Sequence, residues 1–304
     1  MYSLLDYGRM IENAPRMRAY ADAIAEAVRP GARVVDLGAG TGICTLLALR
    51  AGAAHVTAID TNPAVKLVPR VCADNGFAPD RVTAILADAQ RVELSERADV
   101  LLADLRGVVP LYGKNLAIVH DAARRFLKPE GVLVPAEDTL YAALVEAPET
   151  YRAATGPFGD RPLDFDMRAV LEATVLAFHH DRKAPIAAAS VLSNAEPWAT
   201  VRYRDAPPDF FQRTLSLVPQ RDGLCHGLAL WFEARLTAAI TLSSAPGNDV
   251  VYSRGFLPYF EPFPVTAGAA VGVRLTARAT KDDYIWAWTA EGPVSRRHTS
   301  FSGL

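Results

Sequence analysis

Residues Val34 to Gly42 read Val-Val-Asp-Leu-Gly-Ala-Gly-Thr-Gly, and a second apolar run closes at Ala58-Ile59-Asp60. No other stretch limits the fold as tightly. Val34 and Val35 read as a buried parallel strand. Gly38, Gly40 and Gly42 let the backbone turn sharply and approach a ligand that any Cβ would hold off. The helix expected over 43–50 offers that ligand its N-terminus.

The glycine spacing separates cofactors. A dinucleotide site wants G-x-G-x-x-G, with the last gap placing a pyrophosphate over the helix end. Here the spacing is G-x-G-x-G, and Asp36 precedes it at the carboxyl end of the strand. An acid pointing into the site suits an ammonium and repels a diphosphate. Asp60, ending the next strand, can accept hydrogen bonds from both ribose hydroxyls. An ammonium, a ribose and no phosphate describe S-adenosylmethionine, with S-adenosylhomocysteine as product. The pattern is similar to that of class I methyltransferases.

With 304 residues, half of them hydrophobic, the chain can bury one large core or two modest ones. A formal net charge of -2 argues against a dedicated nucleic-acid binder, which carries a basic excess. Cys44, Cys72 and Cys225 are odd in number and lack metal spacing, so a reducing compartment is expected and no metal site. The first residues lack a signal peptide's basic and apolar regions, and no run is long and apolar enough to span a bilayer. A soluble cytoplasmic protein is the expectation.

Helix and strand signals alternate along the first half. Helices are expected over 15–28, 42–51, 62–75 and 116–126, and strands over 33–37, 54–60, 82–87, 100–103 and 131–134. Lys128-Pro129-Glu130-Gly131 reads as a turn. Such alternation implies a parallel sheet covered by helices. After Pro135 the texture becomes β-branched and aromatic, at 139–145, 174–178, 199–203, 228–241 and 270–279, broken by Pro and Gly clusters. The expected fold class is therefore α/β: a Rossmann-like sheet over 31–135, followed over 136–304 by a mostly antiparallel β domain.

Local motifs give the chain a resemblance to the protein arginine methyltransferases. Met10-Ile11-Glu12-Asn13-Ala14-Pro15-Arg16, with Tyr20 beyond, looks like that family's cofactor-covering helix, here within 1–30. The resemblance implies that Arg16 binds the methionine carboxylate and that Met10 packs on the cofactor. It places Asp60 on the ribose, where the family usually has glutamate, and Asp88-Ala89 at the adenine. Asp164-Phe165-Asp166-Met167 resembles the motif before the family's dimerisation arm, so the second domain is expected to be a β-barrel with an arm near 160–195 that makes a homodimer. Val251 to Gly255 falls where the family has a substrate-side loop.

In that family, two glutamates in one loop clamp the guanidinium of the methyl acceptor. The matching loop here is Ala103-Asp104-Leu105-Arg106-Gly107-Val108-Val109-Pro110-Leu111-Tyr112-Gly113. Asp104 replaces the first glutamate and Gly113 the second, while Arg106 adds a cation. The family's threonine-histidine-tryptophan loop is Ser253-Arg254-Gly255, another cation. Three readings follow. The acceptor is a nitrogen or oxygen nucleophile other than arginine, on a peptide, protein or small molecule. Alternatively, arginine is methylated with a rearranged acid such as Glu261, or the site binds cofactor without turnover. The first is preferred, with Asp104 as base or orienting group, Tyr112 as hydrogen-bond donor, and Arg254 with Arg106 as an anion-binding mouth. His179-His180-Asp181 reads as a turn with no metal role, and Trp286 and Trp288 as packing on one strand face.

Overall fold

The computed structural model describes residues 2–159, 161–291 and 297–300. Met1 and residues 301–304, the ends of the expected domain ranges, lie outside the described residues. So does Asp160, where the arm was expected to begin.

Two helices open the chain, α1 (Leu4–Glu12) and α2 (Ala14–Ala27). One helix starting at residue 15 was expected. Asn13 divides the segment instead: its backbone is extended and its side chain caps α2 by accepting from Arg16 N, with Pro15 in the first turn. Ser3 and Asp6 form a reciprocal capping box that starts α1.

Strand and helix then alternate as β1 (Arg33–Leu37), α3 (Ile43–Arg50), β2 (His55–Asp60), α4 (Val68–Asp74), β3 (Val82–Leu86), β4 (Ala98–Ala103), α5 (Asn115–Phe126) and β5 (Leu127–Val134). Before α4 the chain makes a 3-10 turn (Pro63–Leu67), so the helix expected over 62–75 is shorter. Pro69 favours that break, because it sits only where a helix begins. The turn expected at 128–131 lies inside β5, which pairs with β4 across a register shift. All five strands are parallel, in the order β3-β2-β1-β4-β5. The order reverses between β1 and β4, and in such sheets ligands bind off the carboxyl ends of the strands at that switch point.

The second half begins with β6 (Glu137–Val145), then α6 (Pro148–Gly159), α7 (Arg168–Val175) and the two-residue β7 (His179–His180). It continues through β8 (Glu196–Arg202), β9 (Phe210–Leu217), β10 (Gly223–Arg235), β11 (Thr241–Ser243), β12 (Gly255–Val265), β13 (Val271–Ala279), β14 (Tyr284–Glu291) and β15 (Arg297–Thr299). They form two antiparallel sheets, β7-β12-β10-β6-β8 with β11 on β10, and β15-β14-β13-β9. Of the strand expected at 174–178, Thr174 and Val175 instead end α7. Thr174 and Val175 carry β-branched signals, but Thr174 Oγ1 returns to Val170 O at 2.8 Å and Val175 is buried. The strand expected over 228–241 ends at Arg235, where Leu236 N reaches Ile240 O and turns the chain into β11.

One apolar core runs from the parallel sheet into the antiparallel sheets, joining Leu101, Phe126, Leu140, Trp198, Leu228 and Trp288. Trp286 and Trp288 both lie inside it, and the indole of Trp288 donates to Pro258 O at 3.0 Å. Trp288→Ala is expected to cost about 3–5 kcal/mol of unfolding free energy, because cavity and transfer terms add at a fully buried aromatic. Urea titration measures it, and a loss below 1 kcal/mol counts against this core.

Candidate active site

β1 and β4 bring their carboxyl ends side by side, and the side chains of interest lie there. Gly38, Gly40 and Gly42 all take positive φ, as the sharp turn after β1 requires. A Cβ on Gly38 would stand 2.5 Å from the Leu105 side chain, and one on Gly40 2.4 Å from the Tyr7 ring. The turn is thus a backbone-walled cradle. Leu105 of the acceptor loop covers one side and Tyr7 of α1 the other.

Asp60 closes β2 beside this cradle. One of its oxygens accepts from Gly40 N at 2.7 Å and the other from Asn62 N at 2.7 Å. Asp88 follows β3 and caps a short turn by accepting from Gln90 N, with Ala89 buried next to it. Asn62 Nδ2 donates to Tyr2 O at 2.9 Å, which ties the leading residues of the chain to the rim. Met10 is half-buried, and its carbonyl accepts from Arg16 Nη1 at 3.1 Å.

Asp36 is buried, and Thr45 Oγ1 donates to it at 2.7 Å. Burial pushes its carboxyl up from the ordinary 3.8 to about 6, and the Thr45 hydrogen bonds only partly oppose that.

Asp104 follows β4 and accepts hydrogen bonds from three side chains. Its Oδ2 accepts from Arg16 Nη2 at 2.6 Å, Arg16 Nε at 3.0 Å and the Tyr252 hydroxyl at 2.7 Å. Its Oδ1 accepts from Arg106 Nη1 at 2.7 Å. Burial alone would raise this carboxyl, but the guanidiniums of Arg16 and Arg106 outweigh burial, and the Tyr252 hydrogen bond adds to them. Together they hold it well below the usual carboxylate range.

Arg106 extends the chain of charges. Its Nε and Nη2 grip the two oxygens of Asp138, on β6, at 2.8 and 2.9 Å, and its Nη1 also donates to the Tyr20 hydroxyl. The Tyr203 hydroxyl donates to Asp138 from the other side. The side chains of both Arg106 and Asp138 are 0% exposed. Phe232 lies 5.0 Å under the Arg106 guanidinium, adding a cation–π contact.

Two expectations are corrected here. Arg254 does not face the loop. Its Nε donates to Ser244 O and its Nη2 to Ala245 O, each at 3.0 Å, and Nη2 also bonds Asn248 O. These bonds turn the buried guanidinium to the 244–248 turn, so Arg254 and Arg106 form no anion-binding mouth. Nor is Asp104 suited to act as a base, because the two guanidiniums and the Tyr252 hydroxyl stabilise its charged form. Tyr112 is half exposed and packs its ring on Gly107, where a Cβ would meet it at 2.5 Å. Glu261 is exposed on β12 beside Tyr151. His179 Nε2 bonds Thr174 O, and Asp181 accepts from Arg254 N and Ile186 N, so that triplet is structural. Among the described residues no cluster of His, Cys, Asp and Glu has the form of a metal site.

Sequence reasoning missed Asp138 and Tyr203 altogether, and placed Tyr20 and Tyr252 only within motifs, with no role of their own. One signal was available. Asp138, Leu140, Ala142 and Leu144 share one face of β6 and all are buried. A carboxylate on such a face demands a cation.

Residues 34–131 match the family described as "Methyltransferase domain". The chain is 27% identical, over 88% of its own length and 74% of the relative's, to an arginine N(omega)-methyltransferase of Streptomyces achromogenes subsp. streptozoticus. It is 29% identical, over 79% of its length and 55% of the relative's, to a probable protein arginine N-methyltransferase 6 of Arabidopsis thaliana. Among solved structures, its fold is similar to a chain of the Trypanosoma brucei PRMT1 enzyme-prozyme heterotetrameric complex with AdoHcy, at a TM-score of 0.86, 19% identity and 96% coverage of both chains. The Arabidopsis thaliana protein arginine methyltransferase 10 gives a TM-score of 0.81 at 17% identity, covering 98% and 97%.

The chain is a class I methyltransferase that uses S-adenosylmethionine. Within that class it is of the protein arginine methyltransferase-like type. The glycine cradle, walled by backbone where a Cβ would collide, fits such a cofactor. Asp60 ends β2 beside that cradle and Asp88 follows β3, the neighbouring strand.

Removing Arg106 alone strands a buried Asp138. Arg106→Met is expected to lose about 3–5 kcal/mol of stability, while Arg106→Met with Asp138→Leu recovers most of it. Chemical denaturation of the single and double variants decides this, and equal losses would overturn it. Asp36 makes a separate prediction. Between pH 3.8 and about 6 the folded state keeps a proton that the unfolded chain has released, so its contribution to stability falls as pH rises across that window. Asp36→Asn is expected to remove this slope. A difference between wild type and variant that stays constant from pH 4 to 6 would show that Asp36 is not raised.

Proposed function

We propose that this enzyme transfers the methyl group of S-adenosylmethionine to a neutral nitrogen or oxygen nucleophile of a small molecule, peptide or protein, and not to an arginine guanidinium. The saturated carboxylate of Asp104 carries this reading. A clamp for a guanidinium needs carboxylate oxygens facing an incoming cation. Here two resident guanidiniums already hold both oxygens, and Arg106 is walled in by Asp138, Tyr20 and Phe232. A third guanidinium would enter against two like charges.

S-adenosylmethionine supplies an electrophilic methyl group on a sulfonium sulfur. The chain's part is to orient the partners and exclude water, which lowers the barrier by pre-arranging an in-line approach. Tyr7 and Leu105 wall the cradle, and α1 lies across it. The Tyr2 hydroxyl is pushed up by burial and next by the charge of Asp104, with Tyr112 contributing, so the leading residues approach the acceptor loop as well. Arg16, with Asp104 and Tyr252 behind it, is aimed where the family's arginine meets the methionine carboxylate. The protein works as a homodimer in the cytoplasm; the exposed Leu163 and Phe165, between α6 and α7, support an arm contact.

A second reading, methylation of an arginine guanidinium, is favoured by the names of the relatives. The Streptomyces protein is called an arginine N(omega)-methyltransferase and the Arabidopsis protein a probable protein arginine N-methyltransferase. It requires an acid other than the two positions now held by Asp104 and Gly113.

Tritiated methyl transfer from S-adenosylmethionine separates the readings. The probes are free L-arginine, an arginine-rich peptide, and small-molecule and protein fractions of a cell extract. Label is expected in an extract fraction, with no methylarginine after hydrolysis. Methylarginine in the hydrolysate would establish the second reading instead.

A further inference from the structure

Methylation of a neutral N–H or O–H nucleophile releases a proton. The acceptor lone pair forms the new bond to carbon, and the carbon–sulfur bond breaks with its electron pair left on sulfur. The acceptor's proton then passes to a base and on to water. The acceptor loop supplies no such base of its own. Asp104 is saturated by Arg16, Arg106 and Tyr252, and Asp138 by Arg106 and Tyr203. Asp36 is buried under Thr45 and Asp60 serves two backbone amides of the cofactor cradle.

A carboxylate reaches the loop from outside it. The hairpin between β13 and β14 is tightened by Thr280, whose N and Oγ1 donate to Asp283 O at 2.8 and 2.7 Å. It presents Asp283 so that Gly113 N donates to its Oδ1 at 2.8 Å. Gly113 takes φ +54, and a Cβ there would have Asp282 O as its nearest neighbour at 4.0 Å. The missing side chain leaves open space beside an incoming carboxylate. The adjacent Asp282 is neutralised by Lys114 at 2.7 Å, whereas Asp283 Oδ2 has no donor among the described residues.

We infer that Asp283, carried by the β13–β14 hairpin, is the acceptor-side proton acceptor of this methyltransferase, acting across the space that Gly113 leaves open. The inference rests on the proposed reading of the acceptor as a neutral nucleophile. The charged and titratable groups around the hairpin include Lys114, Lys281, Asp282 and Tyr284, with Arg278 and Asp209 at its base. None of them offers a second unpaired carboxylate at Gly113.

The test uses the full chain with tritiated S-adenosylmethionine and the cell-extract acceptor fractions. Asp283→Asn keeps an oxygen for Gly113 N and loses only the base. It is expected to lower kcat by about 100-fold or more, leaving S-adenosylhomocysteine affinity unchanged by calorimetry. Its residual rate should climb with pH as hydroxide takes over the proton, a response that a merely structural role would not give. Asp283→Glu is expected to keep most activity and Asp282→Asn to stay within about twofold of wild type. Wild-type rates in Asp283→Asn, or equal losses in Asp282→Asn and Asp283→Asn, would overturn the assignment while leaving the acceptor reading standing. Failure of the wild type to label any fraction other than arginine would remove the acceptor reading and this inference with it.

Discussion

The carboxylate of Asp104, held between the guanidiniums of Arg16 and Arg106, is the interaction on which the rest of the site depends. Moving one such ion out of water costs several kcal/mol, and the cost is met only when charges alternate and each oxygen finds a donor. That condition is satisfied along Arg16, Asp104, Arg106 and Asp138, with Tyr20, Tyr203 and Tyr252 filling the remaining positions. The members come from α2, the acceptor loop that follows β4, β6, the residue after β8 and the segment before β12. No two of those segments can shift without stranding a buried charge. The network therefore fixes how the antiparallel part of the chain stands against the cofactor cradle.

The cofactor half was legible in the sequence because its requirements are local. Three glycines within five residues announce a backbone that must turn at positive φ, and the strand–helix alternation around them repeats at the expected spacing. The acceptor half was legible only in what it lacks. The absent acid at Gly113 could be read directly, but the partners of Arg106 and Arg254 could not. An arginine in a loop pairs with whatever the tertiary fold brings to it. Arg254 found three carbonyls in a turn that nothing in its own neighbourhood specified. At Thr174, β-branching suggested a strand while burial of Val175 against the fold selected a helix, a case of tertiary packing overriding propensity.

The departures in the acceptor loop are coupled physically, so the loop is not one substitution away from a paired-glutamate clamp. Arg106 is tolerable in the interior only because Asp138 and Asp104 meet it. With Arg106 in place, Asp104 is committed to structure and is lost to the acceptor. Gly113 meanwhile sits in a left-handed backbone that a side-chain-bearing residue enters at about 1–2 kcal/mol. Restoring an acid there would strain the turn, and the added carboxylate would stand beside the like charge of Asp283. A carboxylate delivered from the β13–β14 hairpin avoids both costs, because the glycine keeps its conformation and adds no second acid, and the hairpin's acid stands outside the Asp104–Arg106 network. In this arrangement cofactor orientation and proton removal fall to different parts of the chain. Asp104 stabilises the frame, and the task of accepting the proton passes to a group free to hold it.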